Sequence, residues 1–514
     1  MAEAMKPIVC ESPYLEMAGP ILVLAGPGTG KTYQLARRIQ ALVDSQGVAP
    51  DEITVITFTR EAALGMRGKL NAQGRPEYVE PDKQPRNIMT MHALGHRIIE
   101  ENARVIGLNQ DVSVVSDKVL KGALMRDAAL LVGLTESDAK RALRDKETAN
   151  RSACDESRRV HEQYAKLLRA CNAIDFDDQI EIACQILEGQ PGVLEQYRAM
   201  TRHLLVDEYQ DINADQHRLI RLLSAGNESG LFAVGDDDQS IYGFRGGDPS
   251  YIRDFRSDYL GAQILQLQVS RRCLKNILDC ALTVVTQYDS SRVPKVAPVY
   301  TEPEPGLVKV WDCPSDSREA ELIAKAIYAK SAKGEAVDFF VLVPSRNYVK
   351  TITRALTAKG IVHDVGTSSE SSPEWDALTT LKQWLEQPSN LSTRHVIELI
   401  VAAGTTSMPR PGVRRADKQA ARQDYAREIA ELWTPVLAGT ETLVSNLERE
   451  AGSSTKIKEI WELSDAMRTA HQTDDTPAFL SSVRGALQTF PTIESFYKCL
   501  EMLEATPGRL GATK

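Results

Sequence analysis

A glycine-rich segment that ends in lysine and threonine follows the first strongly apolar run of the chain. Ile21–Leu24 leads directly into Ala25-Gly26-Pro27-Gly28-Thr29-Gly30-Lys31-Thr32. The spacing matches the G-x-x-x-x-G-K-[ST] pattern, with Ala25 in place of the first glycine. Backbone N–H groups would surround a phosphate, Lys31 would reach the β- and γ-phosphates, and Thr32 would bind Mg²⁺. The alternative is a glycine-rich turn between a strand and a helix, without a ligand.

An acidic pair follows a second apolar run. Residues 203–211 read HLLVDEYQD, so a strand would deliver Asp207 and Glu208 at its carboxyl end, where ligands bind in parallel α/β sheets. Asp207 could hold Mg²⁺ directly or through water. Glu208 could orient or deprotonate an attacking water. An acidic pair that merely begins a loop is common, but together with the glycine-rich segment it indicates hydrolysis of a nucleoside triphosphate.

Further motifs follow in a fixed order. They are VITFTREAA at 55–63, TMHALG at 90–95, VDEYQD at 206–211, VGDDDQSIYGFRG at 234–246 and SRRC at 270–273. This ordered set resembles the motifs of superfamily 1 DNA helicases of the UvrD/Rep/PcrA type. The resemblance implies ATP-driven translocation on single-stranded DNA and 3′-to-5′ unwinding of duplex DNA, with ATP and Mg²⁺ as cofactors. A metabolic phosphate-loop kinase would not need GDDDQSIYGFRG.

The resemblance also implies roles for individual residues. Hydrolysis would use Lys31, Asp207, Glu208, Gln239 as a γ-phosphate sensor, and Arg272 as a cation at the γ-phosphate. Arg271 stands where the family often has a tyrosine that stacks on adenine, and a guanidinium can stack on a base as well. Single-stranded DNA would be bound by Phe58, Thr59, His92, Tyr242, Phe244 and Arg245, since bases of any sequence can stack on aromatic rings. The alternatives are core packing for each aromatic residue and a surface salt bridge for Arg272.

The sequence departs from the family pattern in two further ways. No glutamine occurs in residues 11–19, where the family has one that reads adenine, so adenine specificity stays open. The last two helicase motifs are not found after Arg272, and TRALTAKG at 353–360 reads instead as an amphipathic helix that ends at Gly360. We therefore expect a fragment or an early-terminated product. The alternative is a subunit that binds ATP and DNA and needs a complementing helicase or nuclease chain.

Composition adds few constraints. The 514 residues are 42% hydrophobic and carry a net charge of −9, which still allows a local basic DNA track. No apolar run approaches the ~20 residues of a membrane span, and the first residues lack the apolar region of a signal peptide. The eight cysteines form no C-x-x-C pair, so neither zinc nor a disulfide framework is indicated. A cytoplasmic location and no membrane partner are expected.

The alternation of strand and helix signals predicts an α/β fold. With the resemblance, this becomes a RecA-like phosphate-loop core, a parallel sheet with helices on both faces, helical insertions and a partial second RecA-like domain. We expect the first core domain at 1–100 and 201–280, a helical insertion at 101–200, the first part of the second core domain at 281–372, and a helical insertion at 373–514. Finer predictions are strands at 308–311 and 339–344, helices at 33–43, 317–333 and 348–359, and a helix cap with a core Phe176 at 173–178.

Overall fold

The computed structural model describes residues 8–9, 17–147, 153–301, 305–331, 339–365, 384, 389–406 and 426–451. The chain divides into two compact units. One comprises Met1–Pro305 with Glu374–Lys514, and the other comprises Gly306–Pro373. In the parts that the structure describes, no helix is both long and apolar enough to cross a bilayer.

A seven-stranded parallel sheet forms the centre of the first unit, in the order β1-β9-β2-β8-β7-β3-β4. Its strands are β1 Ile8–Val9, β2 Ile21–Ala25, β3 Ile53–Thr57, β4 Asn87–Thr90, β7 His203–Val206, β8 Leu231–Gly235 and β9 Gln263–Leu267. β2, β3 and β8 are buried at every position and consist mostly of apolar residues, with the buried Thr54 and Thr57 in β3, as parallel strands covered on both faces require.

Helices cover both faces of this sheet because alternate strand residues point to opposite sides. Leu22 and Leu24 belong to one apolar core, whereas Ile21 and Val23 belong to the other. The helices of this region are α1 Lys31–Gln40, α2 Arg60–Leu70, α3 Met91–Glu101, α7 Gln179–Gly189, α8 Pro191–Met200, α9 Ala214–Ser224, α10 Ser250–Arg253, α11 Phe255–Asp258 and α12 Lys275–Tyr288. This confirms the predicted RecA-like α/β fold class.

The helical insertion between β4 and β7 has a core of its own. It contains α4 Lys118–Leu131, α5 Glu136–Glu147 and α6 Asp155–Ala170, beside a two-stranded pair of β5 Ser113–Val115 and β6 Ala173–Asp175. Part of the predicted second insertion packs into the same core, through α15 Asn390–Thr406, α16 Trp433–Leu437 and α17 Leu443–Glu450. Arg394 is fully buried there and pairs with Asp127 through Nη2 and Oδ1 at 3.0 Å.

The second unit contains α13 Asp316–Ser331 and α14 Val349–Ala358, which pack on each other through a small apolar core. Both helices were predicted, and Gly360 follows α14 with a φ of +68°, as a helix-terminating glycine does. The predicted strands at 308–311 and 339–344 are wrong. Within the described residues these segments lie in no sheet, and Val310, Phe340 and Leu342 are exposed, because no neighbouring strand pairs with them.

Two local predictions need correction. The first helix begins at Lys31 rather than residue 33 and continues as a π-helical turn over Ala41–Ser45, with Leu35 and Ile39 in the core as expected. Phe176 is not a core residue, since its side chain is 39% exposed. The turn at 176–178 is set by Asp175, whose buried carboxylate accepts a hydrogen bond from the Asp177 N–H at 3.0 Å.

Candidate functional site

The glycine-rich loop lies between the end of β2 and the start of α1, as the sequence predicts. Gly28 and Gly30 have φ values of +77° and +97°, which glycine adopts at little cost. Thr29 stiffens the turn, because its Oγ1 donates to the Gly26 carbonyl at 2.8 Å. Gly30 is the N-cap of α1, and no side chain caps the N–H groups of the first turn, where Lys31 and Thr32 lie. These N–H groups and the helix dipole suit a bound phosphate.

The segment that follows β9 packs directly on this loop. Ser270 lies in β10 Val269–Ser270, which pairs with β11 Val299–Tyr300, and its hydroxyl donates to the Pro27 carbonyl at 2.9 Å. The Arg271 N–H donates to the Gly28 carbonyl at 3.0 Å. A Cβ at Gly28 would lie 2.6 Å from that of Arg272. Arg271 and Arg272 are therefore beside the loop, and both side chains are exposed.

The acidic pair lies at the end of β7, one strand removed from β2 in the sheet. Glu208 has a left-handed backbone with φ 51°, and its Oε2 lies 2.8 Å from Nζ of Lys31. A non-glycine residue in this conformation is uncommon and carries strain. The strained turn thus brings Glu208 into contact with the phosphate-loop lysine, which lies 177 positions earlier in the sequence.

Asp207 is buried beside this ion pair, with 6% of its surface exposed. Burial, and then the charge of Glu208, raise its pKa to about 7, although Lys31 and the Glu208 N–H oppose the rise. A buried carboxylate whose ionisation is so unfavourable gains from a nearby cation. Asp207, with the Thr32 hydroxyl in the first turn of α1, therefore suits Mg²⁺, which prefers oxygen ligands.

Gln239 connects the phosphate loop to the acidic residues that follow β8. Its Oε1 accepts a hydrogen bond from Lys31 Nζ at 3.0 Å, and its Nε2 donates to Asp236 Oδ2 at 2.7 Å. Gln210, also in the acidic motif, donates to Glu208 Oε2 at 2.9 Å and accepts from the Asp236 N–H at 3.0 Å. The structure thus brings Lys31, Glu208 and Gln239 into one hydrogen-bonded group.

The predicted DNA-binding residues form an aromatic surface nearby. The rings of Phe58 and Tyr242 lie 4.5 Å apart, and those of Tyr242 and Phe244 lie 5.9 Å apart. The guanidinium of Arg245 lies 5.7 Å from the centre of the Tyr242 ring and 5.6 Å from that of Phe244. Phe244 is 77% exposed, which core packing does not explain.

His92 extends this surface and reveals a residue that the sequence analysis missed. Its ring stacks on Phe176 at 4.2 Å with an angle of 8° between the planes. Burial lowers the pKa of His92, against the attraction of Asp177, and Arg245 lowers it further, so the ring is neutral at pH 7. The Phe176 side chain remains 39% exposed beside the His92 ring. In the sequence, the short acidic element in 173–178 predicts a helix cap and gives no sign of this ring.

Thr59 has a structural role in addition to its predicted role at DNA. Its hydroxyl is the N-cap of α2 and accepts a hydrogen bond from the Ala62 N–H at 3.1 Å. This bond contributes about 1 kcal/mol to the helix. Thr59 remains exposed beside Phe58, so its role at DNA stays a prediction.

Comparison with known proteins agrees with this arrangement. Residues 10–260 match the UvrD/REP helicase N-terminal domain. The chain is 32% identical over 334 residues to the ATP-dependent DNA helicase PcrA of Staphylococcus epidermidis, which covers 62% of this chain and 44% of that protein. It is 32% identical over 379 residues to the ATP-dependent DNA helicase UvrD1 of Mycobacterium tuberculosis, covering 67% and 48%.

The match to a third relative covers a larger share of both chains. The ATP-dependent DNA helicase Rep of Buchnera aphidicola is 28% identical over 402 residues, covering 74% of this chain and 61% of that protein. The chain thus spans about half the length of the first two relatives. Through residues 10–260, which carry the phosphate loop, the acidic pair and the aromatic surface, the chain belongs to the UvrD/REP helicase family.

Proposed function

We propose that this chain is the ATP-hydrolysing and DNA-gripping part of a DNA helicase that moves along single-stranded DNA in the 3′-to-5′ direction and unwinds duplex. The observation that carries the proposal is the Lys31–Glu208 ion pair, 2.8 Å long, with Gln239 bound to the same ammonium at 3.0 Å. It joins the phosphate loop, the acidic pair and the sensor motif. The names of the relatives, all ATP-dependent DNA helicases, support the same function.

The residues have distinct roles in this proposal. Lys31 exchanges its contact with Glu208 for the β- and γ-phosphates, which frees Glu208 to orient the attacking water or accept its proton. Asp207 and Thr32 hold Mg²⁺, which supplies charge stabilisation at the phosphates when bound. Arg272 supplies a further cation near the γ-phosphate, and the Arg271 guanidinium stacks on the base.

DNA is held by stacking in the same proposal. Phe58, Tyr242, Phe244, His92 and Phe176 offer rings to successive bases, and Arg245 contacts a phosphate. Base stacking on such rings is worth about 1–3 kcal/mol per base and does not depend on sequence. Because Tyr242 and Gln239 belong to one short segment after β8, a shift at the phosphate would move both the sensor and the first stacking ring.

A second candidate is a subunit that binds ATP and DNA but needs another chain for motor activity. The apolar residues Val310, Phe340 and Leu342 of the second unit favour it, since each is at least 90% exposed and would gain from burial against another chain. The complementing chain would be a helicase or nuclease polypeptide.

Displacement of streptavidin from biotinylated oligonucleotides separates the two candidates. The motor proposal predicts ATP-dependent displacement from the 5′ end and none from the 3′ end, abolished in Glu208→Gln. The binding-subunit proposal predicts that ATP and single-stranded DNA both bind, without displacement from either end. Displacement from the 3′ end alone would contradict the proposed direction.

A further inference from the structure

Three carboxylates follow β8, and one lysine lies among them. Nζ of Lys295 is 2.5 Å from Asp236 Oδ1, 2.6 Å from Asp237 Oδ1 and 2.6 Å from Asp238 Oδ2. Ligand oxygens of these three acids lie within 4.8 Å of one another, an arrangement that could hold a metal ion. The ammonium group of Lys295 stands where such an ion would be. The protein's own lysine therefore supplies the positive charge at this position, and only 10% of the Lys295 side chain is exposed.

The segment around Lys295 is fixed to the first unit by several other contacts. The Val296 N–H donates to Gln266 Oε1 at 2.8 Å, and Gln266 Nε2 donates back to the Val296 carbonyl at 3.0 Å. Arg292 pairs with Asp238 through Nε and Oδ1 at 2.8 Å. The Val293 N–H donates to Asp237 Oδ2 at 2.8 Å. The position of Lys295 therefore depends on the path of the chain after α12.

A short chain of contacts connects Lys295 to the phosphate loop. Lys295 contacts Asp236 at 2.5 Å, Asp236 accepts from Gln239 Nε2 at 2.7 Å, and Gln239 Oε1 accepts from Lys31 at 3.0 Å. A carboxylate can only accept a hydrogen bond and an ammonium can only donate one, so the Gln239 amide is fixed in a single orientation. Without Lys295, Asp236 would be a buried carboxylate without its cation, and it would turn away from its present position.

We propose that Lys295 is a positioning residue for the recognition of the γ-phosphate. By holding the Asp236 carboxylate in place, it orients the Gln239 amide, and so it makes the preference for a triphosphate over a diphosphate depend on the segment that follows α12. This inference rests on the proposed function, because it assumes that the loop binds ATP.

The test is the ratio of the affinities for a non-hydrolysable ATP analogue and for ADP, measured by calorimetry on the full chain. We expect Lys295→Met to lower this ratio at least about tenfold, equivalent to ~1.4 kcal/mol, with ADP affinity retained. Lys295→Arg should restore much of the ratio, because it keeps the positive charge. The matched control is Lys275→Met, since Lys275 lies on α12 and pairs with Asp279 in the same helix. Its ratio should stay at the wild-type value.

A folded Lys295→Met variant with an unchanged ratio would overturn the inference, as would a ratio that falls equally in Lys275→Met. If Lys295→Met does not fold, the double variant Lys295→Met/Asp238→Asn removes one of the uncompensated carboxylates, and the same ratio then decides the question. Failure of the wild-type chain to bind either nucleotide would refute the proposed function itself, and the inference with it. Binding by the wild type with an unchanged ratio in the variants would refute the inference alone.

Discussion

Replacing Asp207 with asparagine is expected to stabilise the folded protein while abolishing Mg²⁺-dependent hydrolysis. Burial raises the pKa of Asp207 to about 7 from an ordinary value of 3.8, so the folded protein keeps a proton that the unfolded chain releases between these two pH values. The stability that this bound proton contributes is fully present below pH 3.8 and is lost as the pH rises to about 7. Asparagine is neutral throughout, and its Oδ1 can still accept the Glu208 N–H bond, which is 3.0 Å long in the wild type.

The size of the gain follows from the two pKa values. At ~1.4 kcal/mol per pH unit, the wild type loses at most about 4 kcal/mol at pH 8 relative to a permanently neutral side chain. By the same linkage, the wild type loses about 2 kcal/mol of stability at pH 5 and less than about 1 kcal/mol at pH 4. The advantage of Asp207→Asn should therefore grow from pH 4 to about pH 7 and then stay constant.

Thermal unfolding of both proteins at pH 4, 5 and 8, with a chelator and at one scan rate, measures this difference. We expect the melting temperature of Asp207→Asn to exceed that of the wild type by several degrees at pH 8 and by little at pH 4. Asp82→Asn, at an exposed carboxylate in the loop before β4, is the control and should show no such trend. A gain of equal size at pH 4 and pH 8, or none at pH 8, would refute the assignment of a buried carboxylate with a raised pKa.

Three further substitutions test other parts of the site and fold. Phe244→Ala should lower single-strand affinity by about 1–3 kcal/mol in fluorescence anisotropy, with an unchanged melting temperature, because the side chain is 77% exposed. Gly28→Ala should weaken nucleotide binding in calorimetry, since its φ is +77° and the new Cβ would lie 2.6 Å from that of Arg272, whereas Gly68→Ala meets nothing within 4 Å and should bind normally. Asp127→Ala should destabilise the helical insertion by about 3 kcal/mol in chemical denaturation, because it leaves the fully buried Arg394 without its main partner; normal stability would contradict the buried pair.

The parts of the site that depend on local sequence were predictable. The phosphate loop follows an apolar strand and opens a helix, and the turn residues are glycines at the positions that need positive φ. The acidic pair likewise ends a strand of buried apolar residues. These features need only the neighbouring residues, so the pattern of the sequence is enough to place Lys31, Asp207 and Glu208 at one edge of a parallel sheet.

Other features depend on contacts between distant segments and carry no local signal. Lys295 reaches Asp236 across 59 positions, and its surroundings of valine and proline do not reveal an internal cation. Phe176 resembles a core residue in the sequence, but the buried Asp175 turns the chain so that the ring faces His92. The residues at 308–311 have strand composition, yet a strand requires a hydrogen-bonded neighbour that composition cannot supply.

We propose that the phosphate loop and the acidic pair hydrolyse ATP and that DNA bound to the aromatic surface accelerates this hydrolysis. The most direct test is the rate of ATP hydrolysis with and without single-stranded DNA, in the wild type, Lys31→Ala and Glu208→Gln. We expect hydrolysis that DNA accelerates in the wild type and that both substitutions abolish, while Glu208→Gln still binds ATP. Hydrolysis that persists in Lys31→Ala, or that DNA leaves unchanged in the wild type, would contradict it.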